Sequence, residues 1–309
     1  MKNWATLFTL LFCTLGLNSQ HTFSIVAVDP VTGEVGSAGA TCLDGGVGGV
    51  GAAIINQLIP GKGGVCSQAQ ICIPNINLTN AINQMNNGLS PQEIIDWLVA
   101  NDQCGPDFEP EIRQYGIVDL DANMNPRAAA FTGGGTLAYA NHITGPNYAI
   151  QGNILIGPEV LTGMENGFLN TPGTFADKLM GALQGANIVG ADSRCESRGT
   201  SSATAYLRVY QPDDDPADPY LEIILPTVPF GEEPIDSIQS LYDDFLMSML
   251  PFGCTNPQAH NYDPDAVNDD GSCETCNDGI QNGDETDIDC GGALCIPCCT
   301  LELNEVAVN

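Results

Sequence analysis

Apolar positions along this chain follow two periods, and their succession sketches a fold. Thr22-Phe-Ser-Ile-Val-Ala-Val28 is β-branched and apolar, which predicts a strand. Asp29-Pro-Val-Thr-Gly33 turns the chain and Glu34 to Thr41 returns it, a hairpin. A glycine-rich run from Gly45 to Gly51 leads into an apolar stretch, Ala52 to Ile59. Leu78 to Met85 has helical spacing. Ser90-Pro91-Gln92-Glu93 then opens a helix: Ser90 caps, Pro91 takes the first helical position and Glu93 closes a capping box, with Ile94, Ile95, Leu98 and Val99 on one face. Gln114 to Leu120 and Arg127 to Thr132 read as a strand pair across Asp121-Ala-Asn. Asn153-Ile-Leu-Ile156 precedes a helix from Pro158 to Phe168, and Thr174 to Leu183 makes another. Ser201 to Val209 and Tyr220 to Leu225 are the last strands, parted by an acidic, proline-rich turn, and Ile235 to Met249 is an amphipathic helix.

Strand runs alternating with helix pairs predict a layered α+β or α/β architecture, with helices covering mainly antiparallel sheets. Pro251-Phe-Gly marks a boundary to a short tail. The organisation expected is a targeting segment at 1–20, a globular domain at 21–250, and two small modules at 251–275 and 276–300. Hydrophobic residues are 43% of the 309, enough for a large core and too many for a disordered chain.

Charge narrows the partners. The net charge is −30, and 22 of the 38 acidic residues lie from Val209 onward, where there is no Lys or Arg. Nucleic acid is excluded as a partner, because phosphate binding needs a basic face, and an anionic membrane surface is disfavoured for the same reason. In residues 1–20 Lys2 is the only charge, Leu7 to Leu17 is apolar, and Ser19 offers a small residue for cleavage, the pattern of a signal peptide. The apolar run is too short to span a bilayer, and no later stretch approaches that length. The expected location is outside the cytoplasm: extracellular, cell-surface or periplasmic.

Removing that segment removes Cys13 and leaves twelve cysteines, which an oxidising compartment favours as disulfides. Five belong to the large domain (Cys42, Cys66, Cys72, Cys104, Cys195) and seven to the tail. Both sets are odd, so either one bridge crosses between them or each keeps a free thiol. Gly46-Val-Gly48-Gly-Val-Gly51 has dinucleotide-loop spacing but neither a capped helix after it nor an acid about 20 residues on, and is read as close backbone packing. His142 is a candidate triad member only if a nucleophile motif exists, and none does.

A threonine heading the first strand of the domain is the arrangement of N-terminal-nucleophile hydrolases, in which the α-amine of the residue serves as base for its own hydroxyl. An α-amine with a pKa of about 8 can do this near neutral pH without a histidine. His21-Thr-Phe-Ser-Ile-Val-Ala-Val-Asp-Pro-Val-Thr-Gly-Glu-Val-Gly36, Gly88-Leu-Ser-Pro-Gln-Glu-Ile-Ile95, Arg113-Gln-Tyr-Gly-Ile-Val-Asp119, Thr144 to Val160 and Gly190-Ala-Asp-Ser-Arg194 resemble, block by block and in order, the bacterial family of unknown function numbered 1028. The resemblance covers residues 21 to about 225. It implies an N-terminal-nucleophile hydrolase fold, a four-layer αββα sandwich, here with a small disulfide-rich C-terminal tail. Carried over residue by residue, it puts Thr22 in the nucleophile's place and Asp192 and Arg194 in a block that orients the amine or binds substrate, or forms a structural ion pair. Cleavage after Ser19 would leave Gln20-His21 ahead of Thr22 and block its amine.

In the tail, Asn261-Tyr-Asp-Pro-Asp-Ala-Val-Asn-Asp-Asp-Gly-Ser-Cys273 places Asp263, Asp265, Asn268, Asp269 and Asp270 around a glycine-turned loop. Hard oxygen donors in this pattern suit Ca²⁺, which takes six to eight of them at ~2.4 Å. The spacing is not that of an EF-hand; it resembles the short calcium-binding repeats of secreted bacterial proteins, which implies that Cys254 and Cys273 close the loop. Cys276 to Cys298 is similar to a small disulfide module found beside such repeats, with Asp284, Asp287 and Asp289 as candidate ligands. A module of this size needs staples or metal to stand.

Two functions follow. One is an exported amidohydrolase acting on a small amide or peptide substrate with Thr22 as nucleophile and no catalytic cofactor. The other is a non-catalytic binding protein with a cell-surface partner and a calcium-stabilised tail.

Overall fold

Two antiparallel sheets, facing each other, form the framework of the larger part of the chain. The computed structural model describes residues 18–20, 22–43, 50–105, 107–293, 295, 296 and 298. Residues 1–17, where the sequence predicts a signal peptide, and residues 44–49 of the glycine-rich run lie outside the described residues. The chain divides into two compact units, residues 1–240 and 241–309.

In the first unit the chain runs through β1 (Asn18–Gln20), β2 (Thr22–Val28), β3 (Val35–Thr41), β4 (Asn56–Ile59) and β5 (Gly63–Ile71). Helices α1 (Ile76–Asn86) and α2 (Pro91–Ala100) follow, then β6 (Arg113–Leu120), β7 (Pro126–Thr132), β8 (Asn141–Thr144) and β9 (Tyr148–Gly152). Helices α3 (Glu159–Asn170) and α4 (Phe175–Gly185) precede β10 (Thr204–Tyr210) and β11 (Leu221–Leu225). One sheet has the order β1-β5-β6-β7, with β4 also on β5; the other has β11-β10-β3-β2-β9-β8. Helices α1 and α2 pack on the first sheet and α3 and α4 on the second, while β2 and β9 lie against β5 and β6. The fold is α+β with antiparallel sheets.

The local signals act as physical chemistry requires. The Ser90 amide donates to Glu93 Oε2 at 2.8 Å, and Thr174 with Asp177 makes a second capping box. Both helix pairs end in a buried apolar face: Leu78, Ile82, Met85, Ile94 and Leu98 meet Val65, Tyr115 and Ile117 of the first sheet. Between the sheets a second core gathers Val26, Val28, Val35, Leu58, Cys66, Val118, Leu120 and Ala149.

Three segments depart from the reading by periodicity. Strand β5, the longest, carries Gly63, Gly64, Gln68 and Gln70, which break an apolar pattern. A Cβ on Gly64 would run into Leu58 and Val26, so the glycine permits the close approach of strand and sheet. The β8–β9 hairpin is short and polar at one strand. Ala52 to Ile59 divides into a 3₁₀ turn, Gly51–Ile55, and β4.

Disulfides join Cys42 to Cys195 and Cys72 to Cys104, and Cys66 is the free, buried cysteine among the described residues. In the second unit Cys254–Cys273, Cys276–Cys295 and Cys290–Cys298 are paired, and Cys299 lies outside the described residues. The unit division falls inside α5 (Pro234–Ser248), and the second unit contains a two-residue parallel pair, β12 (Phe252–Gly253) with β13 (Asn268–Asp269).

Candidate functional site

Thr22 is the first residue of β2, opposite Thr41 of β3. It is fully buried, and its Oγ1 has no hydrogen-bond partner among the described residues. Its carbonyl, by contrast, is held twice, by the Asn153 amide at 3.1 Å and by Gln68 Nε2 at 3.0 Å. A buried hydroxyl without a partner costs about 1–3 kcal/mol, so its retention asks for a reason beyond packing.

Behind Thr22 lies a chain of amide side chains between the sheets. Ser24 Oγ donates to Gln68 Oε1 at 2.6 Å and accepts from Gln151 Nε2 at 2.6 Å. Gln68 Nε2 also reaches Gln114 Oε1 at 2.8 Å, and Gln114 Oε1 accepts from Asn153 Nδ2 at 3.1 Å. Gln114 Nε2 donates to the Gly152 carbonyl and to Thr132 Oγ1, each at 2.9 Å. Gln151 Oε1 is buried without a partner and occupies the space a Cβ on Gly116 would need. His142 joins through Nδ1, 2.9 Å from Thr132 Oγ1; burial lowers its pKa and keeps the ring neutral near pH 7. It has a threonine beside it, not a nucleophile-and-acid pair.

The Asp192–Arg194 pair reaches the same place from a different segment. Asp192 caps the 3₁₀ turn Ser193–Arg198 and is fully buried. Arg194 grips it with Nε at 3.0 Å and Nη2 at 2.6 Å, and Nη2 also lies 3.3 Å from Thr41 Oγ1. The Cys42 amide donates to Asp192 Oδ2 at 2.8 Å, and the Cys42–Cys195 disulfide ties the two segments together. The three candidate residues named from the sequence therefore converge on the Thr22–Thr41 pair. Sequence reasoning missed the glutamines. Their signal was present as polar residues set among apolar ones in strands, Gln68, Gln114 and Gln151, each fully buried.

A second buried polar group frames the end of β5. Arg113, 1% exposed, donates to Asp102 through Nε at 3.1 Å and Nη2 at 2.9 Å and to the Gln70 carbonyl through Nη1 at 2.6 Å. Burial pushes the Asp102 carboxyl up. Hydrogen bonds from Arg113, Asn77 and the Glu109 amide, with the guanidinium charge, outweigh it and hold the pKa below the ordinary carboxylate value.

In the tail the candidate ligands make local turns. Asp263 Oδ1 accepts from the Asp265 amide, Asp269 Oδ1 from Gly271 and Asp270 Oδ1 from Ser272, at 2.9, 3.0 and 2.9 Å. Asn268 Nδ2 donates to the Met247 carbonyl at 2.6 Å. Among the described residues, only His260, Cys276 and Cys295 bring three potential ligand atoms within 4.8 Å of one another, and those two cysteines are joined as a disulfide. Asp263, Asp265, Asp269 and Asp270 are not drawn three to a point. No helix among the described residues is long and apolar enough to cross a membrane.

The fold is α+β with facing antiparallel sheets, and the family follows from the sequence. The chain belongs to DUF1028, a family of unknown function, whose model matches residues 22–229. Protein SPO2555 from Silicibacter pomeroyi, of the same family model, has a similar solved structure. It is 24% identical, with 72% of this chain and 88% of that chain covered, at a TM-score of 0.56. The likeness is one of fold. No curated protein matches the chain.

Proposed function

We propose that the first unit is an N-terminal-nucleophile hydrolase domain, a four-layer αββα sandwich, acting on an amide bond after export. The carrying observation is the buried, unpartnered Thr22 Oγ1 at the head of β2, the residue at which the family match begins. Once residues through His21 are removed, the Thr22 amine is free. It takes the Oγ1 proton, Oγ1 attacks the substrate carbonyl, and the proton passes to the departing amine as the C–N bond breaks. Water then cleaves the ester and restores the threonine. Backbone amides stabilise the oxyanion. Gln68 and Asn153 fix the Thr22 main chain, and Arg194, held by Asp192, reaches Thr41, which lies opposite Thr22.

The opposing reading is a non-catalytic, cell-surface binding protein. Favouring it is the small residue Ser19: cleavage after it leaves Gln20-His21 ahead of Thr22 and keeps the Thr22 nitrogen in a peptide bond. In either reading we propose that the acidic loop takes Ca²⁺ as a structural ion through Asp263, Asp265, Asn268, Asp269 and Asp270, which must draw together, the aspartates from the local turns they make here. Each turn-forming aspartate offers the cation a second carboxylate oxygen. Sequencing the mature N-terminus separates the readings: a start at Thr22 supports the hydrolase, a start at Gln20 the binder. For the tail, calcium should raise and chelator lower its melting temperature; indifference to both removes the ion.

A further inference from the structure

Strand β5 has β6 along one side, but its other side is shared. Strand β4 covers Gly63 to Cys66, and β1 covers Ala69 to Ile71, with Asn18 opposite Ile71, Ser19 opposite Gln70 and Gln20 opposite Ala69. The chain's own leader therefore fills an edge that would otherwise present unpaired backbone groups. That edge is held firmly. The Cys72–Cys104 disulfide follows it directly, and the buried Arg113 ties the Gln70 carbonyl to Asp102. Ala69, opposite Gln20, adopts the left-handed region at φ 72°, a conformation that costs a non-glycine residue about 1 kcal/mol or more. A small, open recess adjoins this point, lined in part by Ala69, Gln70, Ile112, Thr136, Leu137 and Asn153. Asn153 is the residue whose amide holds the Thr22 carbonyl.

We infer that Ala69–Ile71 is a strand-binding edge for the substrate, an extended peptide that lies antiparallel to β5 in the place of Asn18–Gln20. Backbone pairing supplies the affinity, as it does when a peptide adds a strand to a sheet edge. The direction is fixed by the leader. Its residues run toward Thr22, so the peptide lies with the acyl side of its reacting bond along β5, and its carbonyl arrives one residue beyond the position opposite Ala69. The substrate is then an unfolded peptide or protein segment, and the leader is its intramolecular competitor. The cleavage step rests on the hydrolase reading; the binding does not.

The test uses the full chain made to begin at Thr22, carrying Thr22→Ala so that no turnover interferes, and a fluorescent Leu-Asn-Ser-Gln-His peptide matching residues 17–21. Fluorescence anisotropy should show saturable binding, at least tenfold weaker in a protein beginning at residue 18. N-methylation of those peptide amides that pair with β5 should weaken binding at least tenfold, while N-methylation of the intervening ones should not. No saturable binding, or binding indifferent to both the leader and N-methylation, overturns the inference. Binding with the expected pattern but no turnover by the Thr22 protein upholds the edge and removes the catalytic reading alone.

Discussion

The space between the two sheets has two ends built from the same strands. At one end β2, β5, β6 and β9 contribute Ser24, Gln68, Gln114 and Gln151; at the other they contribute Val26, Val28, Cys66, Val118, Leu120 and Ala149. Topology is shared, so the contrast lies in side-chain chemistry alone. The apolar end stabilises by burial and close packing. The amide end gains little net stability from exchanging water for protein hydrogen bonds, and among the described residues Thr22 Oγ1 and Gln151 Oε1 find no partner. A cluster that is costly where an apolar core would serve is best explained by what it positions, and it positions Thr22.

Substitutions can sharpen that contrast. The largest loss is expected from Arg113→Met, which leaves Asp102 charged and buried without its counter-charge, at about 3–5 kcal/mol in denaturant unfolding. The same pair sets a pH dependence. Asp102 titrates below its unfolded value in the folded state, so its contribution is complete above about pH 4 and lost as pH falls through the folded pKa. The melting temperature of the wild type should drop over that acid range more steeply than that of Arg113→Met. Next, Leu120→Ala at the apolar end should cost about 2–4 kcal/mol and leave the amide end undisturbed. Smallest in stability is Gln68→Leu, about 1–3 kcal/mol. Its distinguishing effect is on turnover, which should fall far more than in Leu120→Ala although the protein is the more stable of the two. Equal turnover in both variants would erase the contrast.

Much of this was legible in the chain. The β2–β3 hairpin, the capped helix after Ser90, the β6–β7 pair and the β10–β11 pair follow from period, turn residues and caps, because those signals are local. Strand β5 was not legible, since Gly63 and Gly64 are there for a close approach to Val118 and Val26 that only the assembled sheets create. The Asp192–Arg194 pair was named from its block, but its meeting with Thr41 is a separation of about 150 residues that no local pattern contains. The buried glutamines were visible as polar interruptions, yet nothing in one strand says that an interruption meets others across a sheet gap. In the tail the sequence reading named Asp263, Asp269 and Asp270 as calcium ligands, while in the structure their carboxylates accept from amides two residues on, a local turn role.

The central claim is that a free Thr22 amine makes Thr22 Oγ1 a nucleophile, and amine release from a peptide library tests it with three proteins side by side. One begins at Thr22, one begins at Gln20, and one begins at residue 22 with Thr22→Ala. Turnover by the first alone is the result expected. Equal turnover by the Gln20 protein or by the Thr22→Ala protein would contradict it.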